Sequence, residues 1–336
     1  MVSNVTSGSV RVDLLGGTLD LNPINLIIPH VVTLNLATSL KAKVALSEID
    51  FDGLEIVSKD YQSTERFYSK DINEENFHNG FFGKLSFVVQ IFDLFKLHRG
   101  LRVELESGSP PGAGLGGSSA MGVTIFHALC KWTKTPLNKI EAIQKVNGLE
   151  GRILDSGPAG YQDYYPALFG GVLALVPKPG MIEVNQMFDH ALNSHLEENL
   201  TLVYSGDTRL SGINNWEVYK AFFNKESHVR LGLNKIAELS HQAYQAMINK
   251  KYTELPKLIA EEGAERKKLF PGIMTPSMLK LEEELKGKIH GIKVCGAGGG
   301  GCFLIAHPNE NKAQVEAMVR KHSMTLLTFS VEPPLS

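Results

Sequence analysis

One stretch of this chain has the composition of an anion site: Pro110-Pro-Gly-Ala-Gly-Leu-Gly-Gly-Ser-Ser-Ala-Met121. It follows a strand-like run, Leu101–Glu106, and leads into the apolar run Met121–Cys130. Strand, glycine-rich loop and helix in that order build a phosphate cradle. The glycines admit close approach of backbone N–H groups, and the helix N-terminus adds unpaired donors and the positive end of its dipole. A tight turn would account for Pro-Pro-Gly alone. It would not call for four glycines and two serines at a helix start. Pro111, Gly112, Ala113, Gly114, Leu115, Gly116, Gly117, Ser118 and Ser119 are therefore expected to hold the phosphates of a nucleotide. No Gly-Lys-Ser/Thr follows, so the loop is not a Walker A loop. No repeated strand–helix unit precedes it, which argues against a dinucleotide fingerprint.

Phosphoryl transfer needs more than a cradle. The triphosphate must be held, Mg²⁺ placed against it, and an acceptor hydroxyl positioned. Mg²⁺ takes oxygen ligands, typically one or two from protein. Ser118 and Ser119 sit where the loop becomes a helix, and Glu150 ends the next helix. Their bland readings are a helix N-cap serine and a solvated helix-end carboxylate. Asp163 lies in Gly160-Tyr-Gln-Asp-Tyr-Tyr165, among aromatic residues that shield it. A carboxylate so placed can take or orient the proton of a hydroxyl; its bland reading is a turn cap.

The elements that must position these groups follow from the rest of the chain. Ser9–Leu15 alternates as a strand, and 25–28, 31–37, 42–49 and 53–57 are β-rich. Residues 83–97 carry apolar groups at helical spacing. Helices are expected to about Lys134 and from Lys139 to Glu150, then a strand at 170–176. The second half has a strand at 200–204, helical stretches at 216–223, 228–248, 252–269 and 278–286, and strands at 291–295 and 302–306. A helix near 312–321 and a strand at 325–331 end it. The total of 336 residues suits two domains. With 43% hydrophobic and 21% charged residues the chain is an ordinary globular one. A net charge of −2 gives no basic field for nucleic acid or anionic membrane. Three cysteines, Cys130, Cys295 and Cys302, read as reduced core residues. The first residues lack a basic n-region and an apolar h-region, so no signal peptide is expected. No His-x-x-x-His spacing suggests zinc. Glu265-Arg266-Lys267-Lys268 reads as a solvated helix face, and Trp132 and Trp216 as core.

Three of these segments carry a resemblance. Pro110 to Ala120 resembles the Pro-x-x-x-Gly-Leu-Gly-Ser-Ser-Ala signature of the GHMP small-molecule kinases. Arg11-Val-Asp-Leu-Leu-Gly-Gly-Thr-Leu-Asp20 is similar to their N-terminal motif, and Lys293-Val-Cys-Gly-Ala-Gly-Gly-Gly-Gly-Cys302 to their C-terminal glycine motif. The three stand in the family's order and span nearly the whole chain. The resemblance implies an α+β, two-domain GHMP kinase fold. Its N-terminal ribosomal-protein-S5-like α/β domain would occupy 1–180 and its C-terminal ferredoxin-like α/β domain 181–336. It implies ATP and Mg²⁺, with the metal on Ser118 and Glu150. Gly117 stands where a first serine is usual, so Ser119 competes with Ser118 for that role. It implies Asp163 as the catalytic carboxylate, Arg11 as its charge partner and Asp20 as a binder of sugar hydroxyls.

The Glu-His pair of galactokinases is absent, and Gly17 and Thr18 stand in its place. This is closer to the heptose-phosphate kinase and fucokinase branch, as is Tyr204-Ser-Gly-Asp-Thr-Arg-Leu-Ser-Gly212. Gly17, Thr18, Arg209, Ser211, Gly298 and Gly299 follow as substrate-side candidates. The function implied is transfer of the γ-phosphoryl group of ATP to a hydroxyl of a monosaccharide or sugar phosphate. A mevalonate-type kinase and a catalytically silent sugar sensor are the alternatives. A cytoplasmic monomer or homodimer is expected, with neither nucleic acid nor membrane as partner.

Overall fold

The computed structural model describes residues 5–110, 112–153, 160–207 and 215–335. The first half is built on one seven-stranded sheet. Its elements are β1 (Val5–Leu15), α1 (Ile24–Ile27), β2 (Thr33–Glu48), β3 (Gly53–Ser58), β4 (Ser63–Tyr68), α2 (Glu74–His78), α3 (Ser86–Leu94), β5 (Leu101–Glu106), α4 (Gly117–Thr133), α5 (Lys139–Ile153), α6 (Tyr165–Phe169), β6 (Val172–Lys178) and β7 (Met181–Gln186). The strand order is β4-β3-β5-β2-β6-β7, with β1 pairing to β2; only β3 and β5 run parallel.

Several elements depart from the sequence pattern for physical reasons. Residues 31–49 read as two strands, but no glycine or proline interrupts them, and β2 runs unbroken for 16 residues. The segment 25–28, β-rich in composition, is the short helix α1. β4 and β7 are the outermost strands; β4 is exposed along most of its length, and β7 turns only Ile182 and Val184 toward the core. β1 alternates in sequence from Ser9 to Leu15, a pattern that usually leaves one face in solvent. It is buried on both faces from Ser9 onward.

The second half begins with α7 (His190–Asn199), then β8 (Leu200–Tyr204), α8 (Asn215–Phe223), α9 (Ser227–Ile248), α10 (Leu255–Leu269), α11 (Pro276–Glu284), β9 (Gly291–Val294), β10 (Cys302–Ala306), α12 (Lys312–Lys321) and β11 (Thr325–Leu326). Its sheet has the order β11-β8-β10-β9. The period of two along β10 divides its side chains between two cores. Phe303 and Ile305 pack with Met278 and Leu281 of α11 and Val315 and Val319 of α12. Cys302, Leu304 and Ala306 point the other way, into the core that also holds Val10, Leu34 and Val123 of the first half. Trp216 is 51% exposed and stacks on Tyr219, so it is not core. No helix among the described residues is long and apolar enough to cross a membrane.

Candidate active site

The glycine loop lies between β5 and α4. Gly112, Gly114 and Gly116 all adopt left-handed backbone (φ 71°, 74° and 69°). A backbone of this kind makes an anion-binding concavity. The tight fit requires glycine at two of these positions. A Cβ on Gly116 would come within 3.0 Å of the Asp163 Cβ, and one on Gly114 within 2.8 Å of the Cys295 carbonyl. The loop is thereby clasped between the Asp163 segment and the second glycine motif. Gly116 is the N-cap of α4, and no side chain caps that end. Ser118 is exposed in the first turn of α4 rather than at its N-cap.

Ser119, the next residue, turns inward and donates to Glu150 Oε2 at 2.7 Å. The Tyr164 hydroxyl donates to the same oxygen at 2.6 Å, and Asn147 supports Tyr164 at 3.1 Å. Burial, then Glu150, raises the Tyr164 phenol well above its ordinary pKa, which keeps it a donor. Glu150 is therefore buried and held, not a solvated helix end. A serine hydroxyl and a carboxylate converging beside the phosphate loop form an oxygen donor set of the kind Mg²⁺ takes.

Against the same loop, Arg11 Nη2 lies 2.7 Å from Asp163 Oδ1. Arg11 also donates through Nη1 to Gly114 O (2.6 Å) and through its backbone N–H to Leu115 O (3.0 Å). Burial opposes its charge, but Asp163 and Asp13 outweigh this and raise its pKa. The pairing of β1 with β2 shifts register between Ser9 and Arg11 and again between Asp13 and Leu15. Such bulges re-aim side chains, and alternation in sequence does not disclose them.

Asp20 lies beyond the turn that follows β1, buried against Gly160, where a Cβ would meet its Oδ2 at 2.1 Å. The Gln162 backbone donates to that oxygen at 3.3 Å. Burial, and then the charge of Asp163, push Asp20 up to about 8. Gln162 Nε2 donates to Gly17 O at 3.1 Å. Thr18 Oγ1, Gln162 Oε1 and Asp13 Oδ1 are buried at this end with no hydrogen-bond partner among the described residues. Buried polar atoms are almost always paired; these three suit a ligand rich in hydroxyls.

All of these groups except Asn147 and the Cys295 carbonyl line one cleft of about 1120 Å³. Its far wall is aromatic, from Phe67, Phe81, Phe82 and Phe87. Pro111, Arg209 and Ser211 lie outside the described residues. Gly298 and Gly299 do not line the cleft. Gly299 donates to Ile273 O at 2.9 Å, and a Cβ on Gly298 would meet Ile273 at 2.4 Å. Gly296 and Ala297 face the cleft instead.

A second cluster beneath the site was not foreseen. Lys293 is fully buried and reaches Asp13 Oδ2 at 2.7 Å and Glu262 Oε1 at 3.3 Å. Lys293 and Arg266 overcome burial to hold the Asp13 carboxyl below its usual range. Arg266, expected on a solvated face, is 3% exposed. The signal was present in the spacing: Leu255, Ile259, Glu262 and Arg266 fall on one buried stripe of α10. Charge alone suggested the opposite.

The chain is similar to known kinases in sequence and in fold. Residues 86–171 match the family model of the GHMP kinases N terminal domain. The chain is 26% identical over 359 residues to an L-fucokinase/L-fucose-1-P guanylyltransferase of Bacteroides fragilis, covering 97% of this chain and 37% of that protein. The chain thus spans little over a third of that relative's length. Among solved structures, a D-glycero-D-manno-heptose 1-phosphate kinase from Bacteroides thetaiotaomicron superposes with a TM-score of 0.74 at 20% identity, covering 98% of this chain and 96% of that one. The Methanococcus jannaschii mevalonate kinase superposes with a TM-score of 0.76 at 18% identity, covering 98% of each chain. The segment 86–171 thus matches the GHMP kinases N terminal domain, and over 98% of its length the chain shares the α+β fold of these solved kinases.

Proposed function

We propose that this chain transfers the γ-phosphoryl group of ATP to a hydroxyl of a monosaccharide or sugar phosphate. The observation that carries the reading is the Arg11–Asp163 pair, 2.7 Å apart and pressed against the left-handed glycine loop. In this reading the loop cradles the phosphates and the aromatic wall takes the adenine. Asp163 orients the acceptor hydroxyl or takes its proton, and Arg11 holds that carboxylate in place and offsets developing negative charge. Asp20, Thr18 and Gln162 bind hydroxyls. Ser119 and Glu150, with Ser118 exposed beside them, would hold Mg²⁺, which supplies charge neutralisation at the phosphates.

The likeness to an L-fucokinase makes L-fucose the first sugar to try. The unpartnered oxygens of Thr18 and Gln162 suit the hydroxyls of a sugar better than the carboxylate of a mevalonate-type acceptor. Three free, buried cysteines support a reducing, cytoplasmic setting. The change of sheet between Gln186 and Leu200 supports a domain boundary near residue 180.

The test is ADP release from ATP and Mg²⁺ over L-fucose, D-galactose, D-mannose and a heptose 7-phosphate. Asp163→Asn is expected to abolish release while ATP still binds. Undiminished turnover in that variant would remove Asp163 from the chemistry. Binding of sugar and nucleotide by the wild-type protein without ADP would favour a sensor.

A further inference from the structure

Helix α10 sends two charged side chains into the interior, one turn apart, and each grips a different part of the cleft. Glu262 Oε2 accepts the Gly16 N–H at 2.7 Å. Gly16 opens the turn that carries Gly17, Thr18 and Asp20. Glu262 is set in turn by Lys293, 3.3 Å from its Oε1, and Lys293 is anchored on Asp13 of β1. Arg266 forks onto two carbonyls, Nη1 to Val294 O and Nη2 to Gly296 O, both at 2.6 Å. Gly296 is where β9 gives way to the second glycine motif, and that motif touches the phosphate loop. Cys302 N–H donates to Ala113 O at 2.7 Å, and a Cβ on Gly296 would come within 2.9 Å of Gly114 O. None of Glu262, Arg266 or Lys293 has a direct part in the chemistry described above. Buried ion clusters gain little stability over well-packed apolar side chains, so stability alone does not account for this one.

We propose that Glu262 and Arg266 are positioning residues that act on different substrates. Glu262 acts through Gly16 on the acceptor, and Arg266 acts through Gly296 on the nucleotide. The assignment of the two ends of the cleft rests on the kinase reading.

Two single variants separate the arms. Glu262→Gln keeps the side chain's size but drops the charge that faces Lys293. Arg266→Met keeps the buried stem and drops both donors. Kinetics with ATP and the sugar of the panel that is turned over, and amide exchange of the segments 16–20 and 296–301, are the readouts. Glu262→Gln is expected to raise the KM for sugar about tenfold, leave the KM for ATP within about twofold, and speed exchange at 16–20. Arg266→Met is expected to raise the KM for ATP about tenfold, leave that for sugar within about twofold, and speed exchange at 296–301. The double variant Glu262→Leu/Arg266→Met removes one carboxylate and one guanidinium while leaving Lys293 on Asp13, and it is expected to fold and show both effects. Equal shifts of both constants from each single variant, or unchanged exchange in the folded variants, would overturn the proposal. Failure of all three to fold would overturn it too, because the cluster would then hold the fold and not the two turns. A wild-type protein that releases no ADP with any sugar of the panel would sink the kinase reading separately. Exchange at the two segments would then decide the positioning by itself.

Discussion

At the scale of single residues, Asp20 has the most informative environment. Its carboxyl is buried, and the Asp163 charge adds to the cost of ionising it, so it titrates at about 8 in the fold against 3.8 in the open chain. Between those values the native state binds a proton that the unfolded state has lost. Stability from this group is therefore complete below about pH 4 and is lost as pH rises through about 8. An asparagine resembles the protonated form and is exempt from that loss. Asp20→Asn is expected to gain on the wild type in thermal stability as pH is raised from about 5 to about 8.5, by more than about 1 kcal/mol across the window. Melting curves of the two proteins at several pH values measure it, and a gap that stays constant with pH would show that Asp20 is ionised throughout. The types and spacing of Arg11, Asp20 and Asp163 were legible in the sequence because each sits in a short motif, and Glu150 because it stands near the end of a predicted helix. Which serine joins Glu150 was not, because Ser118 and Ser119 differ only in which side of α4 they face, and that follows from how the helix docks.

At the scale of elements, the start of α4 decides where Asp163 sits. Gly116 has φ 69° and its Cα faces the Asp163 Cβ. A left-handed alanine costs about 1–2 kcal/mol, and its methyl would push at a contact of 3.0 Å. Gly116→Ala is expected to destabilise the fold by about that much in denaturant titrations. It is also expected to lower kcat by about tenfold or more, since a small displacement of the carboxylate misaligns the transfer. Wild-type kcat in a measurably destabilised Gly116→Ala would show that Asp163 can shift without consequence. Strand, loop and helix around this glycine were legible because turn chemistry and apolar spacing are local signals. The edge strands β4 and β7 were not, because an edge strand needs no buried face to mark it. Helix α10 was legible as a helix and misread as to its face. Its charges are neutralised by Asp13 and Lys293, which lie far off in the sequence, and no local pattern records that.

At the scale of the whole molecule, the two sheets do not behave as separate bodies. Leu202, Leu304 and Cys302 of the second sheet share one core with Val10 and Leu34 of the first, and Leu239 and Leu255 join them from α9 and α10. The end of the chain returns to β2. Ser39 N–H donates to Ser330 O, Glu332 N–H to Ala37 O and Gly171 N–H to Glu332 O, each at 2.9 Å. Lys293 reaches from the second half to Asp13 of the first, so their buried pair forms only when the halves meet. Breaking a buried pair costs about 3–5 kcal/mol, so a state with one half folded and the other open would carry that penalty on top of a bared core face. Periodicity can suggest two domains from two textures of sequence, but a core shared between residues some three hundred positions apart leaves no local trace. Thermal unfolding is accordingly expected as one transition in which calorimetric and van't Hoff enthalpies agree. Residues 5–186 produced alone are expected to remain without fixed side-chain packing, as read by near-ultraviolet circular dichroism. Two resolved heat-absorption peaks, or a native-like spectrum from that fragment, would mean that the first sheet closes its own core and that the buried Lys293–Asp13 contact only docks two finished domains.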